Sequence, residues 1–376
     1  MKKIVLVIMS VFIINLVGIV DAQADSQPKI VIQAMEENEI QPKLLHDKQG
    51  RTHLIYFKME QVESRLGNLY YKQYKPNVKT WSAPIKISSK TYRRPDVIAT
   101  AKMAVDEQGR LHVIWLDHNP TAYLYSRSDS AIEKFETPRA IIKKHIDGAE
   151  ANAVVSTFNN QVNLAWMAGH DENLRTVYSM TSMDNGETFG SESMIGDQSL
   201  GGCACCAYAS IYTDKGELLV AYRSAENGDD RDMQLLSSND SHKSTTLIDK
   251  WKYNACPVST NSMVQDSQQN TWITWETKGK IYKSVRSGKS INPIMVSPAN
   301  STIRQKHPVI AINHSGYQLI AWSEGDGYFS GGEIKLKAYG PQSQELESPS
   351  TQAMHPALFS SASVVALADG SFLVMY

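Results

Sequence analysis

Residues 101–115 read AKMAVDEQGRLHVIW. Apolar and polar positions alternate on either side of an Asp-x-x-Gly turn, and the second run ends in Trp115. A period of two puts successive side chains on opposite faces of a strand. Gly109 supplies the positive φ that a tight connection needs, so the stretch reads as a β-hairpin. The same unit recurs along the chain: PKLLHDKQGRTHLIYF (42–57), ANAVVSTFNNQVNLAW (151–166), YASIYTDKGELLVAY (208–222), SMVQDSQQNTWITW (262–275), PVIAINHSGYQLIAW (308–322) and SVVALADGSFLVMY (363–376).

A repeat of roughly fifty residues leaves room for two more strands per unit. They are legible in LYYKQYKPNVKTWSAPIKI (69–87), VYSMTSMDNGETFGSE (177–192) and EIKLKAYG (333–340), while almost nothing reads as an amphipathic helix. Four strands repeated radially give an all-β fold, a β-propeller of four-stranded blades. The last hairpin reaches Tyr376 without outer strands, so residues 29–35 are expected to complete its blade and close a ring of seven. Six blades, with one hairpin displaced, is the alternative, and a stop directly after a strand also fits a truncated reading frame.

Met1, Lys2 and Lys3, an apolar run over residues 4–20 and Ala22-Gln23-Ala24 fit a secretory signal peptide cut after Ala24. Residues 25–376 then form one domain in a bacterial periplasm or outside the cell, with no membrane association after cleavage. The formal net charge is −1 and the charges are interspersed. No basic face points to nucleic acid.

The segment Ser182-Met183-Asp184-Asn185-Gly186-Glu187-Thr188-Phe189 has the pattern Ser-x-Asp-x-Gly-x-Thr-Phe. It resembles the Asp-box, or BNR repeat, of sialidase-superfamily propellers, with degenerate copies at residues 126–135 and 238–242 and around Thr80-Trp81. The resemblance implies that Ser182, Asp184, Gly186 and Phe189 are structural, tying the turn between the two outer strands. A narrower likeness runs through Cys203-Ala204-Cys205-Cys206, Arg231-Asp232, Asp249-Lys250-Trp251 and Cys256-Pro257. It is similar to an exported bacterial subgroup carrying these motifs in this order.

A sialidase likeness implies an arginine clamp on a sugar carboxylate, a Tyr and Glu nucleophile pair and an Asp acid/base. Arg93, in Tyr92-Arg93-Arg94-Pro95, together with Arg223, Arg231, Arg304 and Glu324, are the candidates for such a catalytic set. Spacing along the chain selects no Tyr and Glu pair. Hairpin geometry places the approach to each first strand and the exit from each second strand on one propeller face. That face receives Asp117, His118, His170, Asp171, Arg223, Arg231, Glu276 and His307, which form the expected ligand-binding face.

All four cysteines precede first strands of neighbouring units, so Cys203, Cys205, Cys206 and Cys256 should meet on this face. In an oxidising compartment they are expected in disulfides, with a bond from the cluster to Cys256 stapling two blades. No cofactor is favoured. Reduced thiolates with His307, His170 or Met263 would instead suit copper(I) or zinc. The reading is therefore a ligand-binding propeller whose partner is a glycan, a small ligand, a metal or an exported protein, with a sialidase-type exo-glycosidase as the alternative.

Overall fold

The structure is a computed structural model that describes residues 27–239, 241–286, 291–325, 327, 332–347 and 352–376. The expected signal peptide lies outside these residues. A single strand, β1 (Ile30–Gln33), precedes blade 1, which comprises β2 (Glu39–His46), β3 (Thr52–Met59), β4 (Leu66–Lys75) and the short edge strands β5 (Thr80–Trp81), β6 (Ile85–Lys86) and β7 (Tyr92–Arg93). Blade 2 is β8 (Lys102–Val105), β9 (Leu111–His118), β10 (Thr121–Arg127) and β11 (Arg139–Ala140). Blade 3 is β12 (Val154–Phe158), β13 (Gln161–Ala168), β14 (Thr176–Ser182) and β15 (Ser193–Met194).

Blade 4 is β16 (Ala209–Tyr212), β17 (Leu218–Arg223), β18 (Met233–Ser238) and β19 (Lys243–Asp249). Blade 5 is β20 (Asn261–Gln265), β21 (Thr271–Thr277), β22 (Lys280–Arg286) and β23 (Ile294–Met295). Blade 6 is β24 (Gln305–Ile312), β25 (Gln318–Glu324) and β26 (Glu333–Tyr339), to which a single bridge from Glu345 is added. Blade 7 is β27 (Ser363–Ala366) and β28 (Phe372–Met375), with β1 as its third strand. The ring therefore has seven blades, and the six-blade alternative falls away. Among the described residues, no helix is long and apolar enough to cross a membrane.

Ring closure is parallel, with Ile30 opposite Phe372 and Gln33 opposite Met375. Topology requires that direction. The strand β28 runs toward the face from which β2 departs, and β1 must leave on that same face to lead into β2.

The hairpin turns are held as their sequence pattern demands. Asp106 Oδ1 accepts from the amides of Gln108 and Arg110, both at 2.9 Å, and Gly109 follows with φ +80°. In the segment 182–189, Asp184 accepts from the Thr188 amide at 2.9 Å and from the Thr188 hydroxyl and Ser182 hydroxyl at 2.6 Å. Gly186 N donates to Ser182 Oγ at 2.8 Å, and Phe189 packs edge-on against Tyr125 of the neighbouring blade.

Large residues at the ends of second strands fill the seams between blades. Trp115 packs with blade 1, Trp166 with blade 2, Tyr222 with blade 3, Trp275 with blade 4 and Trp322 with blade 5. Each seam is a separate apolar cluster, so stability accrues blade by blade.

Candidate functional site on the cysteine face

Loops leading into first strands meet at the mouth of the central channel. Val97 and Ile98 of blade 2 pack against Cys203, Cys205, Cys206 and Ala207 of blade 4, with Val258 and Phe359 alongside. Gln41 Nε2 donates to the carbonyls of Pro95 at 2.8 Å and Phe359 at 2.9 Å, and the Arg94 guanidinium lies 3.8 Å above the Phe359 ring. The cysteines thus sit in an apolar plug at the channel mouth. Beneath it the channel is a cavity of about 730 Å³ lined by the first strands of all seven blades.

One disulfide forms, between Cys205 and Cys256, whose Cα atoms are 6.5 Å apart and which are 51 residues apart in sequence. It joins the loops leading into blades 4 and 5. Cys203 and Cys206 are free thiols and not the disulfide partners expected of them. Only one cysteine lies on the second loop, so only one bridge between blades can form. The other two stand on one tight turn, their sulfurs 3.0 Å apart, with the Cys203 sulfur 3.3 Å from that of Cys205.

The two thiols differ in proton affinity. Burial by itself would push Cys206 up, but the Cys203 hydrogen bond, the Arg223 charge and Ser259 all favour its thiolate and bring it down to about 7. Cys203, hydrogen-bonded to Cys206 and buried, is pushed well above the ordinary thiol range. Of the two thiols, Cys206 is the one whose surroundings favour the thiolate.

Arg223 organises the cluster from the end of β17. It is 1% exposed, and its Nε donates to Ser259 Oγ at 2.8 Å, which in turn donates to Cys206 Sγ at 3.6 Å. Its terminal nitrogens go to the carbonyls of Arg231 and Glu276, and its plane lies 4.9 Å from the Trp251 ring. Arg231 donates to Glu172 Oε2 at 2.8 Å and to the Gly228 carbonyl at 3.0 Å. Glu276 is fully buried, its Oε1 accepting from Arg304 at 3.1 and 3.3 Å while its Oε2 has no partner. Burial raises its pKa to about 7 even beside the Arg304 charge.

The fold thus brings Arg223, Arg231, Arg304 and Glu276 together around the cysteines; Arg223 is engaged by protein groups, whereas among the described residues Arg231 Nε and Nη1 and Glu276 Oε2 are buried without a hydrogen-bond partner. The remaining candidates lie apart. Arg93 is exposed on β7 at the outer edge of blade 1. Glu324 accepts from Gln305 at 3.0 Å and from Trp322 Nε1 at 3.2 Å. Asp117 is buried and faces Lys90 at 3.5 Å, whereas His118, His170 and Asp171 are exposed. His307 is buried on β24 and lines the channel, as does Met263.

Cys203, Cys205 and Cys256 place their sulfurs within 4.8 Å of one another, the donor set for a soft metal ion. With Cys205 and Cys256 bonded to each other, that set becomes thiolate only after reduction. Sequence reasoning missed Glu172 and Ser259. No spacing marks Glu172, because a loop of blade 3 meets Arg231 only in the fold.

Beside the cluster lies an open groove of about 610 Å³ lined by residues 251–253, 278–280 and 301–304. Trp251 and Tyr253 stack at 5.2 Å with an interplanar angle of 23°. Lys252, Lys278, Lys280 and Arg304 line the groove with them, and among the described residues no acidic side chain does. Lys252 pairs with Asp229 at 3.4 Å, and Lys278 is exposed at the tip of the β21–β22 turn.

No family model matches the chain, and no curated protein matches it in sequence. Solved structures do resemble it. An ulvan lyase of polysaccharide lyase family PL25 is 12% identical with a TM-score of 0.58, covering 87% of each chain. A protein of unknown function from Dyadobacter fermentans is 14% identical with a TM-score of 0.52, covering 85% of this chain and 96% of that one. The GH93 α-L-arabinofuranosidase of Fusarium graminearum is 10% identical with a TM-score of 0.51, covering 77% and 89%. At these identities the likeness is one of fold, and the chain is similar to these proteins as a propeller.

Proposed function

We propose that this chain is an exported, glycan-directed propeller that binds a carboxylate- or sulfate-bearing sugar chain in the groove beside Trp251. The observation that carries the reading is the exposed Tyr253 ring stacked on Trp251 in a groove also lined by Lys252, Lys278 and Lys280. A sugar ring stacks its C–H face on an aromatic plane, and ammonium groups at the rim take up acidic substituents. Two solved neighbours support the glycan class: the ulvan lyase, also solved bound to -[GlcA(1-4)Rha3S]-, and the arabinofuranosidase, solved with arabinobiose.

Binding is favoured over sialoside hydrolysis because Arg223, Arg231 and Arg304 already bond to Ser259, Glu172 and Glu276. A carboxylate clamp needs guanidinium groups free to meet substrate. Titration of the mature protein with sulfated, uronate-bearing and neutral oligosaccharides by calorimetry tests the reading. Binding to the acidic sets, weakened about tenfold by Tyr253→Ala, is expected. Heat from none of them would overturn the reading, and release of sialic acid from a fluorogenic sialoside would establish the hydrolase alternative.

A further inference from the structure

Lys43 on β2 and Lys102 on β8 stand on the innermost strands of adjacent blades, and both line the channel beneath the cysteine plug. Among the described residues neither has a hydrogen-bond or ion-pair partner. None of the described residues lining the cavity is an aspartate or glutamate, and the other titratable groups among them are His46, His307, His314 and Tyr208. Burial lowers the Lys43 pKa to about 7, with the Lys102 charge adding to the effect, and burial lowers that of Lys102 to about 8.

Two ammonium groups of like sign on the walls of one acid-free channel repel each other and raise a positive potential along its axis. Nothing in the fold rewards that arrangement, because a methionine would fill either position at lower electrostatic cost. A ligand carrying two negative charges neutralises both lysines at once. Ser210, Thr260 and Asn261 bring further polar groups to the same walls.

We propose that the channel is a binding site for a small divalent oxyanion, held between Lys43 and Lys102. Sulfate, hydrogen phosphate and a short dicarboxylate share the required chemistry and differ in shape. The site is separate from the groove beside Trp251, so the two readings stand or fall independently. Binding restores the proton that each lysine gives up at alkaline pH. The complex therefore forms with proton uptake at pH 8, and affinity falls as pH rises through the lysine values. Burial lowers the His46 pKa below its ordinary value, so that side chain is neutral at this pH.

The test is calorimetric titration of the mature protein with sodium sulfate, phosphate and malonate in separate arms, with sodium chloride at matched ionic strength as the control. The expected result is saturable one-to-one binding of at least one dianion. Proton uptake at pH 8 should appear in buffers of different ionisation enthalpy. Affinity should fall at least about tenfold in Lys43→Met and in Lys102→Met, with the melting temperature in anion-free buffer retained or raised. No saturable heat from any dianion, binding equalled by chloride, binding without proton uptake at pH 8, or wild-type affinity in both variants would each overturn the proposal. If either variant fails to fold, the proton-uptake measurement on the wild-type protein decides.

Discussion

The Cys206 sulfur sits 3.0 Å from that of Cys203, and the pair stands beside the Cys205–Cys256 disulfide that staples blades 4 and 5. The thiol count follows from this arrangement. Unfolded without reductant, the protein should take up two equivalents of alkylating reagent; four or none would contradict it. The folded protein should react slowly, since both thiols are buried. Removing the staple with Cys256→Ser should cost about 4 kcal/mol from loop closure, read as a lower denaturant midpoint.

Arg223 is a buried cation satisfied wholly by protein groups. Arg223→Met leaves Ser259 and the carbonyls of Arg231 and Glu276 without their donor. A loss of about 3–5 kcal/mol in urea unfolding is expected. The same change removes one of the charges that hold Cys206 down. The thiolate absorbance of the folded variant should then appear at higher pH than in the wild type, and an unmoved profile would detach Arg223 from the thiol pair.

Glu276 has a folded pKa raised to about 7 by burial, above its unfolded value of about 4.5. Between those values the folded state keeps a proton that the unfolded state has released, so stability falls as pH rises across this window and levels off above it. Glu276→Gln removes the titration. Its stability relative to wild type should improve steadily between pH 5 and pH 8, measured by denaturant midpoints across that range. A constant difference would show that Glu276 titrates normally.

Asp184 has its pKa lowered to about 2 by the hydroxyls of Ser182 and Thr188 and by the Thr188 amide. A carboxylate with a depressed folded pKa contributes stability above its unfolded value, and that contribution is lost as pH falls toward 2. Asp184→Asn should cost about 1 kcal/mol near neutrality, through weaker acceptance from the turn. The variant should also lose less stability on acidification. An unchanged thermal midpoint at neutral pH would mean that the outer turn needs no carboxylate.

The propeller was legible because its determinants are local. Alternation around Gly109 specifies a hairpin within fifteen residues, and the aromatic ends at Trp115, Trp166, Trp275 and Trp322 announce seams that every blade must pack. Even ring closure could be expected from a seventh hairpin lacking outer strands. Its parallel direction emerges only once the face of departure toward β2 is considered. The cysteine face was legible to the same depth, since hairpin geometry assigns faces without distances.

What lay beyond reading were the partners chosen across blades. Arg223, Arg231 and Arg304 have the composition of a carboxylate clamp. Tertiary structure turns them instead toward Ser259, Glu172 and Glu276, residues 28–59 positions away in sequence. Which cysteines bond, how the two remaining thiols meet, and the meeting of Lys43 with Lys102 in one channel are likewise set by the closure of the ring. Strand periodicity and turn chemistry act between neighbours in sequence, so the chain alone determined the blades. Burial, charge pairing and sulfur contact act through space, so the site was decided only when seven blades came together.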